Sequence, residues 1–333
     1  MRFEPPRCPF DDCPSLAPGQ ARDCRRRGFY LRKLDGRAVQ RFFCNACQRS
    51  FSTQSFRLDF RLLKPALTHA VFRLLVSKVT LRQAARILGV SRHTIAHRLR
   101  LLGSHCHEFQ LARLRRAGAE LCGTFQLDEL ETFEHERRLK PLTVPVLLHK
   151  QSYFVLAAKP APLPARGGLS PLYREKKARL EALCGPRKSG SKAAVAECLK
   201  LLARWAKPGA DLRLETDKKG TYPGLIQQAL GRPVAHERVD SKAPRKYGST
   251  LFPINHTLAQ MRDGLSRLVR RNWATTKRMA RLEAHLWVWI AFRNYVRPVT
   301  NKAPATSSAQ ALGIERRPWE VAELLELKPQ FLP

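Results

Sequence analysis

The sequence predicts a mixed α/β fold preceded by a cysteine-paired ribbon and a pair of helices. Four cysteines fall into two tight pairs within the first sixty residues, Cys8 and Cys13 in "CPFDDC", Cys44 and Cys47 in "FCNACQRSFS". Apolar residues then recur at three- and four-residue steps: Leu81, Ala84, Ala85, Leu88, Ile95, Leu99 and Leu102. Beyond them come three short apolar runs of strand character, then helical segments, another such run and further helices, the order of a mixed sheet covered by helices.

The 333 residues exceed the roughly 100–200 expected of one domain. The boundaries read from composition are a ribbon over 1–58, a helical domain over 59–104, an α/β domain over 118–300 and a tail over 301–333, with "LARLRRAGAE" as a basic connector. The 61 Lys and Arg outnumber the 27 Asp and Glu, giving a net charge of +34. So large an excess repels itself unless a polyanion shares the space. Nucleic acid fits, because neutralised phosphates release condensed counterions. A membrane surface does not fit, since neither an amphipathic basic helix nor a lipidation motif is present. The apolar run "HLWVWIAF" is too short to span a bilayer. The opening "MRFEPPRCPF" lacks the apolar core of a signal peptide. Nine cysteines without a secretory signal point to reduced thiols and the cytoplasm of a prokaryote.

In the ribbon, two cysteine pairs separated by a hairpin supply the four soft ligands of a tetrahedral structural zinc. A segment this small and polar buries little core, so a metal would stabilise it. Cys8, Cys13, Cys44 and Cys47 are the expected ligands, with Cys24 a spare.

In "TLRQAARILGVSRHTIAHRLRLLG", one helix is expected near Leu81–Leu88, a turn at Gly89, a cap at Ser91 and a second helix from Arg92 to Leu102. This spacing directs Arg92, His93, Thr94, His97 and Arg98 outward, as a recognition helix presents side chains to a major groove. An ordinary helical pair with a solvated basic face has the same pattern.

In "TFQLDELETF", Phe125 and Leu127 face one side of a strand, Gln126 and Asp128 the other. Asp128 is read as a strand-end residue, and "DLRLETD" ends the same way at Asp217. Two aspartates on neighbouring strand ends can hold a hard cation such as magnesium through oxygen. Glu129 and Glu131 are candidates to support that site; Glu134 and Glu136, beside "RRLK", read as a solvated turn. In "LFPINHTLAQMRDGLSRLVRR", Asn255 and Arg262 lie two turns apart on one helix face. Residue physics alone leaves Asn255 open between metal ligand and N-cap, and Arg262 between phosphate grip and surface cation.

Taken together and in this order, the cysteine ribbon, the helical pair, "LDELETF", "ETDKKGTYPGL" and "INHTLAQMRDGLSRLVRR" resemble bacterial insertion-sequence transposases with an RNase H-like catalytic domain of the DDE type. The resemblance spans about residues 5–300. It implies an RNase H-like mixed sheet with flanking helices over 118–300 and a helix-turn-helix DNA-binding domain over 59–104. Asp128 and Asp217 match the first two acids, Asn255 the third ligand position and Arg262 the basic partner. Most members carry Glu where this chain has Asn255, so the resemblance leaves an Asn-type enzyme or a decayed copy, with Glu283 as a fallback acid. It implies a transposase that binds the terminal inverted repeats of its element, cleaves at the ends and joins them to target DNA with two magnesium ions. It also implies double-stranded DNA as partner, a homo-oligomer, and a place at the nucleoid. The alternatives are an inactive DNA-binding regulator or domesticated relative, and a nuclease that cuts without joining.

Overall fold

The computed structural model describes residues 3–20, 23–240, 246–269, 273–300 and 304–332. They form two compact units, one of Met1–Ala70 with Glu320–Pro333, the other of Val71–Trp319. These units fall at other places than the boundaries read from composition, and both differences have a physical cause.

The first unit is a three-stranded antiparallel sheet in the order β1 (Cys24–Leu31), β2 (Ala38–Cys44), β3 (Ser50–Ser52). Its small core is made of thiols and phenyl rings. Phe42 stacks on Phe51 at 5.5 Å between centroids, and Phe56 meets Phe331 edge-on at 4.7 Å. Phe331 comes from the segment read as a tail. That segment is tied in by main-chain bonds, Leu58 N to Glu326 O at 3.1 Å and Lys328 N to Phe56 O at 2.8 Å. A pairing across more than 260 positions of sequence leaves no local pattern to read.

Helix α1 (Leu67–Val76) leads into the second unit, followed by α2 (Leu81–Ile87) and α3 (Arg92–Arg116). Thr80 caps α2 and Ser91 caps α3, each accepting from a backbone N–H three residues on. Gly89, at φ +61°, makes the turn between them. Helix α3 is 25 residues long, so most of "LARLRRAGAE" is its final turns rather than a connector. Gly103 does not break it, because that glycine is where α3 crosses a later helix. A Cβ there would lie 2.5 Å from the Cβ of Ala284.

The sheet of this unit is built from β4 (Gly123–Phe133), β5 (Pro141–His149), β6 (Phe154–Ala158) and the short β7 (Ala161–Pro162). Helices α4 (Pro171–Cys184) and α5 (Ser191–Trp205) then cross to β8 (Leu212–Asp217), and α6 (Tyr222–Leu230) crosses to β9 (Ala235–Val239). The order is β6-β5-β4-β8-β9, antiparallel across the first three strands and parallel from β4 to β8 to β9. This is the RNase H-like mixed sheet with flanking helices that the sequence led us to expect. Strand β9 carries no strand pattern in sequence: its five residues "AHERV" sit at the sheet edge, mostly solvated, without the apolar alternation of a half-buried strand.

Helices α7 (Phe252–Gly264) and α8 (Met279–Ala291) complete the layers. Leu258, Met261, Leu265 and Leu268 are all buried, but they do not share one helix. Helix α7 stops at Gly264, and Leu265 is extended at φ −113°, ψ 110°. Gly264 packs so closely that a Cβ would stand 2.6 Å from Nε1 of Trp289. Among the described residues, no helix is long and apolar enough to cross a membrane.

Candidate active site

Alternation along β4 and β8 sets the site. The two strands pair in parallel with Gln126 opposite Glu215 and Leu127 opposite Thr216. Gln126 and Glu215 therefore face the same side, and both are buried. Gln126 Nε2 donates to Glu215 Oε2 at 2.6 Å, while its Oε1 accepts from the backbone N–H of Ile254 at 2.9 Å. The other carboxylate oxygen of Glu215 accepts from Lys150 Nζ at 2.6 Å. This polar spine anchors the first turn of α7 to the sheet, since a buried amide and carboxylate must find partners.

One pleat further along the same face are Asp128 and Asp217. Neighbouring strands run about 4.8 Å apart, so the two backbones are adjacent here. Asp128 is not a strand-end residue, because β4 continues to Phe133 against β5. What ends after Leu127 is the pairing with β8, and β8 itself ends at Asp217. The two carboxylates thus flank the point where the strands part and side chains become accessible. Asp128 Oδ1 accepts from the N–H of Glu129 at 2.7 Å, and Asp217 Oδ1 from that of Lys219 at 3.0 Å.

Asn255 is the fourth residue of α7, in the turn that Gln126 anchors; the N-cap position belongs to Leu251. Its Nδ2 donates to Leu251 O at 2.9 Å, which leaves Oδ1 as the group available to a cation. Arg262 is in the last turn of α7 and half-buried. Glu283 is engaged elsewhere, with its carboxylate 3.0 Å from Lys159 Nζ.

On the opposite face of β4, Glu129, a candidate to support the site from sequence, is a hydrogen-bonding hub. It accepts from Thr143 Oγ1 at 2.6 Å, Ser191 Oγ at 2.9 Å and Tyr222 Oη at 3.0 Å, and it pairs with Lys219 Nζ. Burial alone would raise its pKa, but the bonds from Lys219 and Thr143 outweigh that and hold it below the usual carboxylate range. The Tyr222 hydroxyl is pushed up by burial and then by the charges of Glu129, Asp217 and Asp128, of which Glu129 is its hydrogen-bond partner. Replacing Glu129 with Ala orphans four donors at once. The unfolding free energy is expected to fall by about 2–4 kcal/mol in urea denaturation, at the low side of a broken buried pair because Lys219 is partly solvated. A depressed folded pKa gives stability that is present above the unfolded value of about 4.3 and is lost as pH falls through the folded one. The wild type should therefore lose more stability on acidification than Glu129→Ala.

Two other acids differ from their sequence reading. Glu131 is exposed and pairs with Arg166 at 2.6 Å, away from any supporting role. Glu134 is no solvated turn: it accepts from Met279 N at 2.7 Å, at the start of α8, and pairs with Arg187 at 3.3 Å. A carboxylate there opposes the positive end of the helix dipole.

In the ribbon, the Sγ atoms of Cys8, Cys13, Cys44 and Cys47 all lie within 4.8 Å of one another. Cys8 and Cys47 are 3.8 Å apart, Cys13 and Cys44 3.6 Å. Zn–S arms of about 2.3 Å at tetrahedral angles require an S–S edge of about 3.8 Å, so the four thiols can hold a metal such as zinc. Cys24 stands opposite Cys44 on β1 but outside the cluster.

On α3, Arg92, His93 and His97 are exposed, and Thr94 is half-buried with its hydroxyl 3.0 Å from Ser91 Oγ. Arg98 does not share that face. It is 4% exposed and turned into the protein, because the position falls on the buried stripe with Ile95, Leu99 and Leu102.

No protein-family model and no curated protein matches the chain. Among solved structures, it is similar to the catalytic domain of Mos1 mariner transposase at 11% identity, over 59% of this chain and 90% of that one, with a TM-score of 0.24. It is also similar to the Mos1 strand transfer complex at 12% identity, over 66% and 75%, with a TM-score of 0.22.

The residues that sequence reading passed over are Gln126, Glu215, Lys219 and Tyr222. A signal was there. "Gln-Leu-Asp" at 126–128 and "Glu-Thr-Asp" at 215–217 both place a long polar residue two positions before the aspartate, on the same face.

Proposed function

We propose that this chain is a DNA transposase of the bacterial insertion-sequence kind, with Asp128, Asp217 and Asn255 as its metal-binding side chains and Arg262 beside them. The observation that carries the reading is the shared face: two aspartates where parallel strands part, and Asn255 in the helical turn that Gln126 fastens to the same strands. Two magnesium ions held there would activate a water or 3′-hydroxyl and stabilise the leaving 3′-oxygen. Asp128 and Asp217 supply the negative charge, and Asn255 Oδ1 a neutral oxygen. The guanidinium of Arg262 grips a phosphate near the reacting centre. Arg92, His93, Thr94 and His97 contact the terminal repeats, with the cysteine ribbon as a second DNA-binding element; Arg98 is left out of that set. Both ends must be cut in one assembly, so a homo-oligomer belongs to the reading.

The test is to incubate the full chain with DNA carrying its own flanking sequence and magnesium. Nicks at the element boundary, followed by joining of the freed 3′-hydroxyl to target DNA, are the expected result. Asn255 in place of an acid favours one second reading, an inactive DNA-binding relative, which binds those ends but leaves them intact with any divalent metal. Cleavage without joining would make it a nuclease.

A further inference from the structure

At the N-terminal ends of α2 and α3, against the segment that follows α7, is a pocket of about 450 Å³. That is within the roughly 300–1,000 Å³ of small-ligand pockets. Arg82, Arg92, Arg267, Trp273 and Lys277 line it, and no carboxylate does. Two of these residues stand out. Arg267 is only 9% exposed, and among the described residues no carboxylate pairs with it. The acid nearest in sequence, Asp263, is taken by Lys78 at 3.1 Å. The charged group that Arg267 does meet is another cation, Arg281, which sits beside Arg100 and Arg278. His285, another titratable neighbour, is held neutral by burial and supplies no negative charge, and the remaining charged groups of the pocket, Arg82, Arg92 and Lys277, are cations. A guanidinium buried among cations carries a desolvation cost that only an anion from outside can offset. Trp273 is the opposite case: it is 100% exposed, a large apolar ring in water at the mouth of a cationic pocket.

We infer that this pocket seats one unpaired nucleotide of bound DNA, its phosphate on Arg267 and its base stacked on Trp273. Phosphate neutralises the buried cation, and a π-face covers the indole whatever the base, which is how proteins hold unpaired nucleotides without reading sequence. The inference rests on the DNA binding of the proposed function, and neither Asp128, Asp217 nor the metal enters it.

The test uses the full chain, a short oligothymidylate and a sugar–phosphate oligomer of the same length without bases. Acrylamide quenching reports on Trp273, isolated as the difference between wild type and Trp273→Phe; binding is followed separately by fluorescence anisotropy of the labelled oligomers. Oligothymidylate is expected to shield Trp273 from acrylamide and the base-free oligomer to leave it open. Arg267→Met should reduce the log–log salt slope of shielding by about one, the signature of a lost phosphate contact. It should also melt no lower than wild type, because the deleted charge had no counter-ion. Full anisotropy-detected binding with Trp273 still quenchable overturns the pocket and leaves the proposed function standing. Absence of any binding to either oligomer removes the nucleotide seat and leaves the proposed function to its own test on duplex element ends. Equal shielding by the base-free oligomer, an unchanged salt slope in Arg267→Met, or a lower melting temperature of that variant would each sink the nucleotide seat.

Discussion

Stripping metal from the purified chain is expected to unfold residues 3–58 and the segment after Glu320 while the larger unit keeps its fold. The buried cluster around the thiols in the smaller unit consists of Cys8, Cys13, Phe42, Cys44, Phe51, Phe56 and Phe331, with a few aliphatic side chains such as Val39 and Leu58 buried beside it. Three of those seven are thiols, so the apolar part is small. A core of that size rarely supplies more than about 3–5 kcal/mol, whereas structural zinc contributes an apparent 10–16 kcal/mol in small zinc-dependent units. The metal term therefore decides whether the sheet exists. The expected reading is one zinc per chain by elemental analysis, four thiols unreactive until a chelator is added, and loss of slow hydrogen exchange in β1, β2 and β3 afterwards while β4 to β8 keep theirs. Cys44→Ser should reproduce the chelated state, as it removes a ligand with almost no change in volume. A metal-free chain whose β2 amides still exchange slowly would show that the rings suffice and that the thiol cluster is incidental.

Local pattern made part of this molecule legible. The cysteine pairs, the caps at Thr80 and Ser91, the turn at Gly89, the face of β4 that carries Asp128 and the strand that ends at Asp217 all declare themselves within a few residues, because capping, positive φ and period-two burial are short-range physics. What escaped was long-range. Phe331 completes a core that begins at Cys8, Gly103 is small because α8 crosses it, and β9 is a strand only because β8 lies beside it. The candidate site shows the same division. Its aspartates could be picked out by their neighbours in sequence, but Glu129 and Glu131 share one face of β4 and differ only in what packs over them. One meets Thr143, Ser191, Lys219 and Tyr222; the other meets Arg166 and water. Arg98 was misjudged for the converse reason. It is polar, yet it stands one turn from Ile95 and Leu102 on the stripe that packs inward.

Asp128→Asn and Asp217→Asn are each expected to lower magnesium-dependent cleavage of end-containing DNA by about a hundred- to a thousandfold, the scale on which removing a single electrostatic group from an active site is felt. The amides keep shape and hydrogen-bonding length, so folding is spared. Asp128 Oδ1 and Asp217 Oδ1 accept from backbone N–H groups that an amide oxygen also satisfies. The change is one of charge alone, in a chain of net charge +34 where local negative charge is scarce. In the proposed site, where Asn255 is already neutral, either substitution would leave one carboxylate for two cations, too little charge to hold them beside phosphate. Asn255→Asp is the informative counterpart: it adds a carboxylate on a side chain of the same length and should raise activity at limiting magnesium if that side chain faces the metal. DNA binding should be unchanged or slightly stronger in both aspartate variants, since a negative charge near the duplex is removed. Cleavage at the wild-type rate in either variant, with unaltered melting temperature, would move the chemistry away from the β4–β8 junction altogether.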